Sequence, residues 1–318
     1  MSGAGRLGMG GGRPVLRIDF ADFWPGFDKT DNFFHDLLAK RYEVRITRHP
    51  DLVIYSRYGK DHRAYGCRRL MVNWENRPWS FSECDFAITS DHVDHPDHFR
   101  FPLFAVAVPD DGPPSIDDPA AVLASKTGFA SIVVSNPRGA TRNAMLDLMN
   151  GYREVASGGR YRNNVGGPVA DKFAFQRRYK FSLAFENSSY PGYTTEKVVH
   201  ALEADTVPIY WGNPLVHRDL NADRFLSFHD HGSLEALMDR VVEIDQDDAA
   251  YCEMLAQPWF LDGVTPDCAR RDLLLDWIGR AVDDDRVPVA RRRHRPRVMA
   301  RRTIDRWQAR RRIRSRIT

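Results

Sequence analysis

Short apolar runs separated by turn residues fill the first ninety positions. Residues 14–20, 42–46, 52–55, 70–74 and 86–89 favour strands, and residues 33–40 carry helical spacing. That alternation predicts a Rossmann-like α/β domain. A Pro- and Asp-rich stretch at 109–119 reads as a linker or surface loop. The alternation then resumes, with an apolar strand over 129–135, a turn at 136–139 and a helix over 142–150 that keeps Met145, Leu148 and Met149 inward. Further on, residues 224–228 form a strand, 234–242 an amphipathic helix, and 247–255 and 266–282 two more helical stretches. The expected domains are 1–120 and 121–285, each long enough for its own core, followed by a tail at 286–318.

The rest is organised around residues 179–214. Residues 180–185 are a buried strand bounded by Asn187, Ser188, Ser189, Pro191 and Gly192. Thr194 or Thr195 caps a helix in which Val198, Ala201 and Leu202 share a face, and Val207 to Trp211 start the next strand. This is a βαβ unit. Tyr193, Glu196 and Lys197 fall at the helix N-terminus beyond a strand's carboxyl end, where α/β proteins bind ligands. First-turn N–H groups and Lys197 favour an anion there, and Glu196 suits sugar hydroxyls. Taken singly, Glu196 and Lys197 are also what an ordinary helix start carries.

Three strings in this stretch, Phe-Glu-Asn-Ser at 185–188, Tyr-Thr-Thr-Glu-Lys at 193–197 and Pro-Ile-Tyr-Trp-Gly at 208–212, closely resemble the signature of the α-1,3/4-fucosyltransferases, glycosyltransferase family 10, and in particular its bacterial members. The family's usual form is Tyr-Val-Thr-Glu-Lys, so Thr194 departs from it by one β-branched residue for another. The resemblance implies a GT-B fold, two Rossmann-like domains facing across a cleft, with acceptor groups mainly from 1–120 and GDP-fucose groups mainly from 121–285. It places Arg142, Tyr193, Glu196 and Lys197 on the donor, with Glu186 and Asn187 beside them. An interior role for Glu186 is equally open.

Asn73-Trp74-Glu75-Asn76-Arg77 stands at the end of the fourth strand. By position alone Glu75 is a surface glutamate. The resemblance implies more, because family members carry a Glu in a similarly placed Glu-Asn segment that is thought to be the catalytic base, and Arg100-Phe101-Pro102-Leu103-Phe104 extends the match. Arg142 likewise reads alone as a surface charge. Within Ser-Asn-Pro followed by Arg-Asn-Ala it resembles the Arg that contacts the donor diphosphate, a role that a guanidinium fork suits. The loop 157–171 is Gly- and Asn-rich and is expected to be mobile before donor binds, with Arg160 and Arg162 either closing over phosphate or facing water. The histidines of 91–98 are too local, and too interrupted by Pro96, for a tetrahedral metal site. No metal is expected.

Charge separates the tail from the body. Residues 286–318 hold 14 arginines against one acidic residue, Asp305, hence +13, which leaves −10 on the rest of a chain whose formal net charge is +3. Ala300, Ile304 and Trp307 share a helical face there, while Ile313 and Ile317 lie opposite. Such a tail suits an anionic membrane surface, at ~1 kcal/mol per basic residue; nucleic acid is not the expected partner. Cys67, Cys84, Cys252 and Cys268 are widely spaced, as reduced core thiols in a cytoplasmic protein would be. Gly3 to Gly8 matches G-x-G-x-x-G without room for the strand before it, and reads as a leader. With no apolar signal core and no run of ~18 apolar residues, the expected location is the cytoplasm, peripheral to the membrane's inner face.

The reaction implied by the resemblance is inverting transfer from GDP-β-L-fucose to the 3-hydroxyl of GlcNAc or Glc in an oligosaccharide or glycolipid acceptor. Glu75 is the base, and cations stabilise the leaving GDP. No cofactor is required, and stimulation by a divalent ion held loosely by GDP is compatible with the scheme. A glycosyltransferase using another nucleotide sugar, or a non-catalytic basic-tailed binding protein, are the alternatives.

Overall fold

The computed structural model describes residues 12–291; the expectations for Gly3–Gly8 and for the tail from residue 292 on lie outside the described residues. Contacts divide the described chain into two α/β units, one of residues 12–73, 79–88 and 271–291, the other of 74–78 and 89–270.

In the first unit β1 (Val15–Ala21) is followed by α1 (Phe33–Ala39), β2 (Glu43–Ile46), β3 (Leu52–Tyr55), β4 (Arg68–Asn73) and β5 (Phe86–Thr89). β1 pairs in parallel with β2 and β3, and β3 with β4, in the order β2-β1-β3-β4-β5. All four residues of β3 are buried, as in a sheet covered on both faces. Asn32 caps α1 by accepting the N–H groups of Phe34 and His35, both at 3.1 Å, which satisfies two of the helix's orphan donors and turns Phe34, Leu37 and Leu38 inward.

The second unit runs β6 (His98–Arg100), α2 (Phe104–Ala107), α3 (Pro119–Ala124), β7 (Gly128–Ile132), α4 (Ala140–Tyr152), β8 (Val155–Ser157), α5 (Lys172–Gln176), β9 (Tyr179–Phe185), α6 (Glu196–Glu203), β10 (Val207–Trp211), β11 (Leu226–Ser227), α7 (Phe228–His231), α8 (Leu234–Gln246) and α9 (Asp248–Ala256). Its sheet is parallel, in the order β11-β10-β9-β7-β8, over a core that includes Phe129, Met145, Phe181, Ile209 and Val241. The chain then rejoins the first unit as α10 (Arg271–Val282). There Trp277 meets Phe86 edge-on at 5.7 Å, and Asp276 bonds Arg41. Val289 N–H bonds Asp85 at 2.7 Å and Arg291 bonds Gly66 O at 2.7 Å, so residues 286–291 also lie on the first unit.

This division differs from the expected breaks at 120 and 285. Residues 89–107 go with the second unit because Arg100 forms a buried bidentate pair with Asp219 (2.7 and 2.6 Å) and Phe104 N–H bonds Thr194 O. The proline-rich stretch lies within the second contact unit. Among the described residues no helix is long and apolar enough to cross a membrane.

Candidate active site

In the second sheet β7 lies between β8 and β9, so successive connections leave it in opposite directions and open a crevice at the carboxyl ends of β7 and β9. Glu186 and Asn187 follow β9 directly. Glu186 has no accessible surface. Its carboxylate accepts Thr195 N–H at 2.6 Å, Thr195 Oγ at 2.8 Å and Lys197 Nζ at 2.9 Å, so it takes up an orphan donor of α6 across nine residues of sequence. Of the two roles left open for it, the geometry shows the interior one: it holds Lys197 and Thr195 from beneath.

Lys197 also donates to Thr195 Oγ at 2.7 Å and lies 3.8 Å from Glu196. Burial alone would lower its pKa, but the carboxylates of Glu186 and Glu196 outweigh that and raise it, so the ammonium stays charged. Glu196 is pushed up by burial, yet ends below its ordinary value through Lys197, its own N–H at the helix start, and Lys172. One turn along α6, His200 Nδ1 accepts from Lys172 Nζ at 2.9 Å, which fixes the neutral imidazole with its proton on Nε2.

Burial first, then Lys172, lowers His200 from 6.5 to about 4. Between those values the unfolded chain binds a proton that the folded chain refuses, so folded stability is expected to fall as pH drops through this window. His200→Gln keeps an acceptor for Lys172 and removes the titration. Urea midpoints collected from pH 7 to 4 should therefore decline less steeply in the variant; an identical slope would contradict the assignment.

Arg142 lies in the first turn of α4 and is 1% exposed. Its guanidinium donates to Asn187 Oδ1 at 3.0 Å and to the carbonyls of Asn136 and Arg138 at 2.6 Å each, joining the ends of β7 and β9 across the crevice. Gly139, at φ +133°, wraps against it so closely that a Cβ would stand 3.0 Å from the guanidinium carbon. Loop 157–171 is knitted by its own asparagines: Asn164 accepts Ser157 N–H at 2.7 Å, and Asn163 donates to Gly159 O and Gly167 O. Arg162 pairs with Asp147.

Glu75 is exposed on the segment 74–78, and both its neighbours are anchored. Trp74 Nε1 donates to Phe101 O at 2.8 Å, and Asn76 Nδ2 donates to Ser188 Oγ at 3.0 Å, so the glutamate is carried beside the loop that leaves β9. Tyr193 is 7% exposed within the loop that enters α6. Asn213, which the sequence did not single out, clamps that loop: its side chain accepts Gly192 N–H at 2.7 Å and Leu215 N–H at 2.9 Å, and donates to Thr194 Oγ at 3.0 Å. The unusual Thr194 is thus the partner of Asn213. Lys172 was missed as well, since only its fold neighbours reveal it. His98, in the histidine-rich run, spends both ring nitrogens internally, on Thr89 Oγ at 2.8 Å and Val93 O at 3.2 Å.

Comparison with known proteins gives two family matches. Residues 18–107 match the alpha-(1,3)-fucosyltransferase FucT N-terminal domain, and residues 123–259 match glycosyltransferase family 10 (fucosyltransferase), C-terminal part. The Helicobacter pylori alpha-(1,3)-fucosyltransferase FucT is 30% identical over 286 residues, covering 76% of this chain and 60% of that protein. The human 4-galactosyl-N-acetylglucosaminide 3-alpha-L-fucosyltransferase FUT6 is 35% identical over 134 residues, 41% of this chain and 36% of its own length. The chain therefore spans less than two thirds of these relatives. A crystal structure of an alpha1,3-fucosyltransferase superposes with a TM-score of 0.75 at 28% identity, over 86% of this chain and 92% of the other. A structure of an alpha1,3-fucosyltransferase with GDP-fucose gives 0.74 at 26%, over 90% and 95%. The fold is of GT-B type.

Proposed function

This chain belongs to glycosyltransferase family 10, the fucosyltransferases, and on that premise we propose that it transfers L-fucose from GDP-β-L-fucose, with inversion, to the 3-hydroxyl of GlcNAc or Glc in lactosamine- or lactose-type acceptors for a lipopolysaccharide or other surface glycan. The observation that carries this reading is the start of α6, where a charged lysine, held by a fully buried glutamate, stands in the first turn of a helix at the carboxyl end of the central strand. That arrangement stabilises an anion whose charge grows during reaction.

The Glu75 carboxylate takes the proton of the acceptor hydroxyl as that oxygen forms a bond to the fucose anomeric carbon. The bond from that carbon to the β-phosphate oxygen breaks on the opposite face, and the electron pair leaves with GDP. Lys197 and the first turn of α6 receive the developing charge, each well-aimed donor contributing a few kcal/mol. Arg142 serves the diphosphate from its place joining the ends of β7 and β9. Glu196 and Tyr193 hold the donor, and Asn187 supports them from the end of β9. The scheme needs no metal, since these cations do the work of one. The protein would act at the cytoplasmic face of a membrane, to which residues 286–318 bring it.

Purified protein incubated with GDP-fucose and N-acetyllactosamine is expected to release GDP only when the acceptor is present. GDP-mannose and UDP-galactose should not replace the donor. Turnover with either of them, and none with GDP-fucose, would move the chain to another donor.

A further inference from the structure

We propose that a cavity at the amino end of the second unit's sheet binds a small monocarboxylate with an apolar body, held by the two-donor edge of Arg224. The proposal is independent of the fucosyltransferase reading. The cavity measures about 250 Å³. Pro113 and Ile116 of the proline-rich stretch, Leu255 near the end of α9, and Trp259 and Phe260 beyond it supply apolar walls. Arg224, which shortly precedes β11, lines it as well. Its Nη1 donates to Thr206 O at 3.0 Å, at the residue before β10. Because β9, β10 and β11 run parallel, this is the opposite end of the sheet from the crevice that holds Glu186 and Lys197.

Arg224 has no accessible surface, and among the described residues no group accepts from its Nε or Nη2. Those two atoms form one edge of the guanidinium, the fork that matches the two oxygens of a carboxylate. Burial lowers the Arg224 pKa to about 10, so the group is charged at pH 7. Asp205, whose charge reaches it, already accepts from Arg177 Nε at 3.2 Å. Tyr251 gives its hydroxyl to Lys180 O at 2.7 Å. A buried cation with an idle fork is costly unless an anion pairs with it.

The walls are tied to the turn that carries this cation. Asn221 N–H bonds Trp259 O at 2.9 Å, Asn221 Nδ2 donates to Pro258 O at 3.1 Å, and Arg224 N–H returns to Asn221 O at 3.1 Å. In the turn after Phe260, Leu261 and Val264 stand 67% and 66% exposed, so the same segment offers apolar surface outside the cavity too. Among the described residues Arg224 is the one charged group lining the cavity. One cation among apolar walls suits a single negative charge on an apolar body. A phosphate dianion would bring a second charge to a wall that holds no second cation.

The test uses the full chain, isotope-labelled, and follows the Trp259 indole N–H resonance, assigned through Trp259→Phe, as benzoate or hexanoate is added at pH 7. Either acid is expected to shift it with a Kd of about 1 mM or below. Benzamide, which has the shape of benzoate without its charge, should bind about tenfold more weakly or not at all. Phenyl phosphate should also bind more weakly than benzoate. Arg224→Lys keeps the charge and a donor for Thr206 O but loses the fork, and should weaken benzoate about tenfold. Should that variant not fold, Ala256→Trp decides, since it adds bulk at an exposed position lining the cavity and should abolish the shift. No shift with either acid, a benzamide response equal to that of benzoate, or a benzoate Kd unchanged in either variant would overturn the proposal. Phenyl phosphate binding more tightly than both acids would overturn the carboxylate assignment.

Discussion

Glu75→Gln is expected to lower kcat about 10³-fold while leaving GDP-fucose affinity unchanged within twofold. The amide has the shape of the carboxylate and cannot take the acceptor proton, and a positioned general base typically supplies 10²–10⁴ in rate. The segment is anchored by Trp74 on Phe101 O and Asn76 on Ser188, and Glu75 is exposed. Stability should therefore hardly move. Single-turnover fucosyl transfer and calorimetric donor titration of the same preparation separate the two effects. A kcat within fivefold of wild type would remove Glu75 from the chemistry, and a lost donor affinity would make it a binding group instead.

The second large effect is expected at Lys197. Lys197→Ala leaves the Glu186 carboxyl, at 0% exposure and already raised above its usual range by burial, with only Thr195 to answer it, so its charge is borne unpaired or neutralised by taking up a proton. Removing one partner of a buried pair costs about 3–5 kcal/mol; because the Lys197 side chain is 19% exposed, a loss of about 2–3 kcal/mol is expected. Activity should fall about 10²–10³-fold in addition, since the departing phosphate loses its cation. Adding Glu186→Gln to the same variant removes the stranded charge, so the double variant should regain part of the stability and none of the activity. Urea unfolding at pH 7 reads the first and GDP release the second. Because Lys197's pKa is raised in the folded chain, its stabilisation is complete below the unfolded value of about 10.4 and is lost only as pH rises through the folded one. A double variant no more stable than Lys197→Ala would mean that Glu186 is not a stranded charge.

The βαβ unit at 179–211 could be read in the sequence because each of its signals agreed: an apolar strand, turn residues, helical spacing and a second strand. Glu186 was harder. A Glu after a strand looks the same whether it faces a ligand or lies under one, and only its hydrogen bonds to Thr195 and Lys197, nine and eleven residues on, show which. The unit boundary was hidden for a related reason. Nothing local to Arg100 announces a partner 119 residues away at Asp219, whereas prolines at 109–119 advertise a break that the packing does not use. Arg142 shows the limit in the other direction: its place at a helix start was legible, but its burial under the Asn136–Gly139 turn depends on Gly139 adopting a conformation that no pattern of apolar residues records.

The most direct test of single displacement driven by Glu75 is the anomeric configuration of the first product formed from GDP-β-L-fucose and N-acetyllactosamine, read by NMR before any secondary reaction. An α-linked fucose on the GlcNAc 3-oxygen is the predicted result. A β-linked product would require two displacements and a nucleophile on the enzyme, and would contradict Glu75 as a simple base.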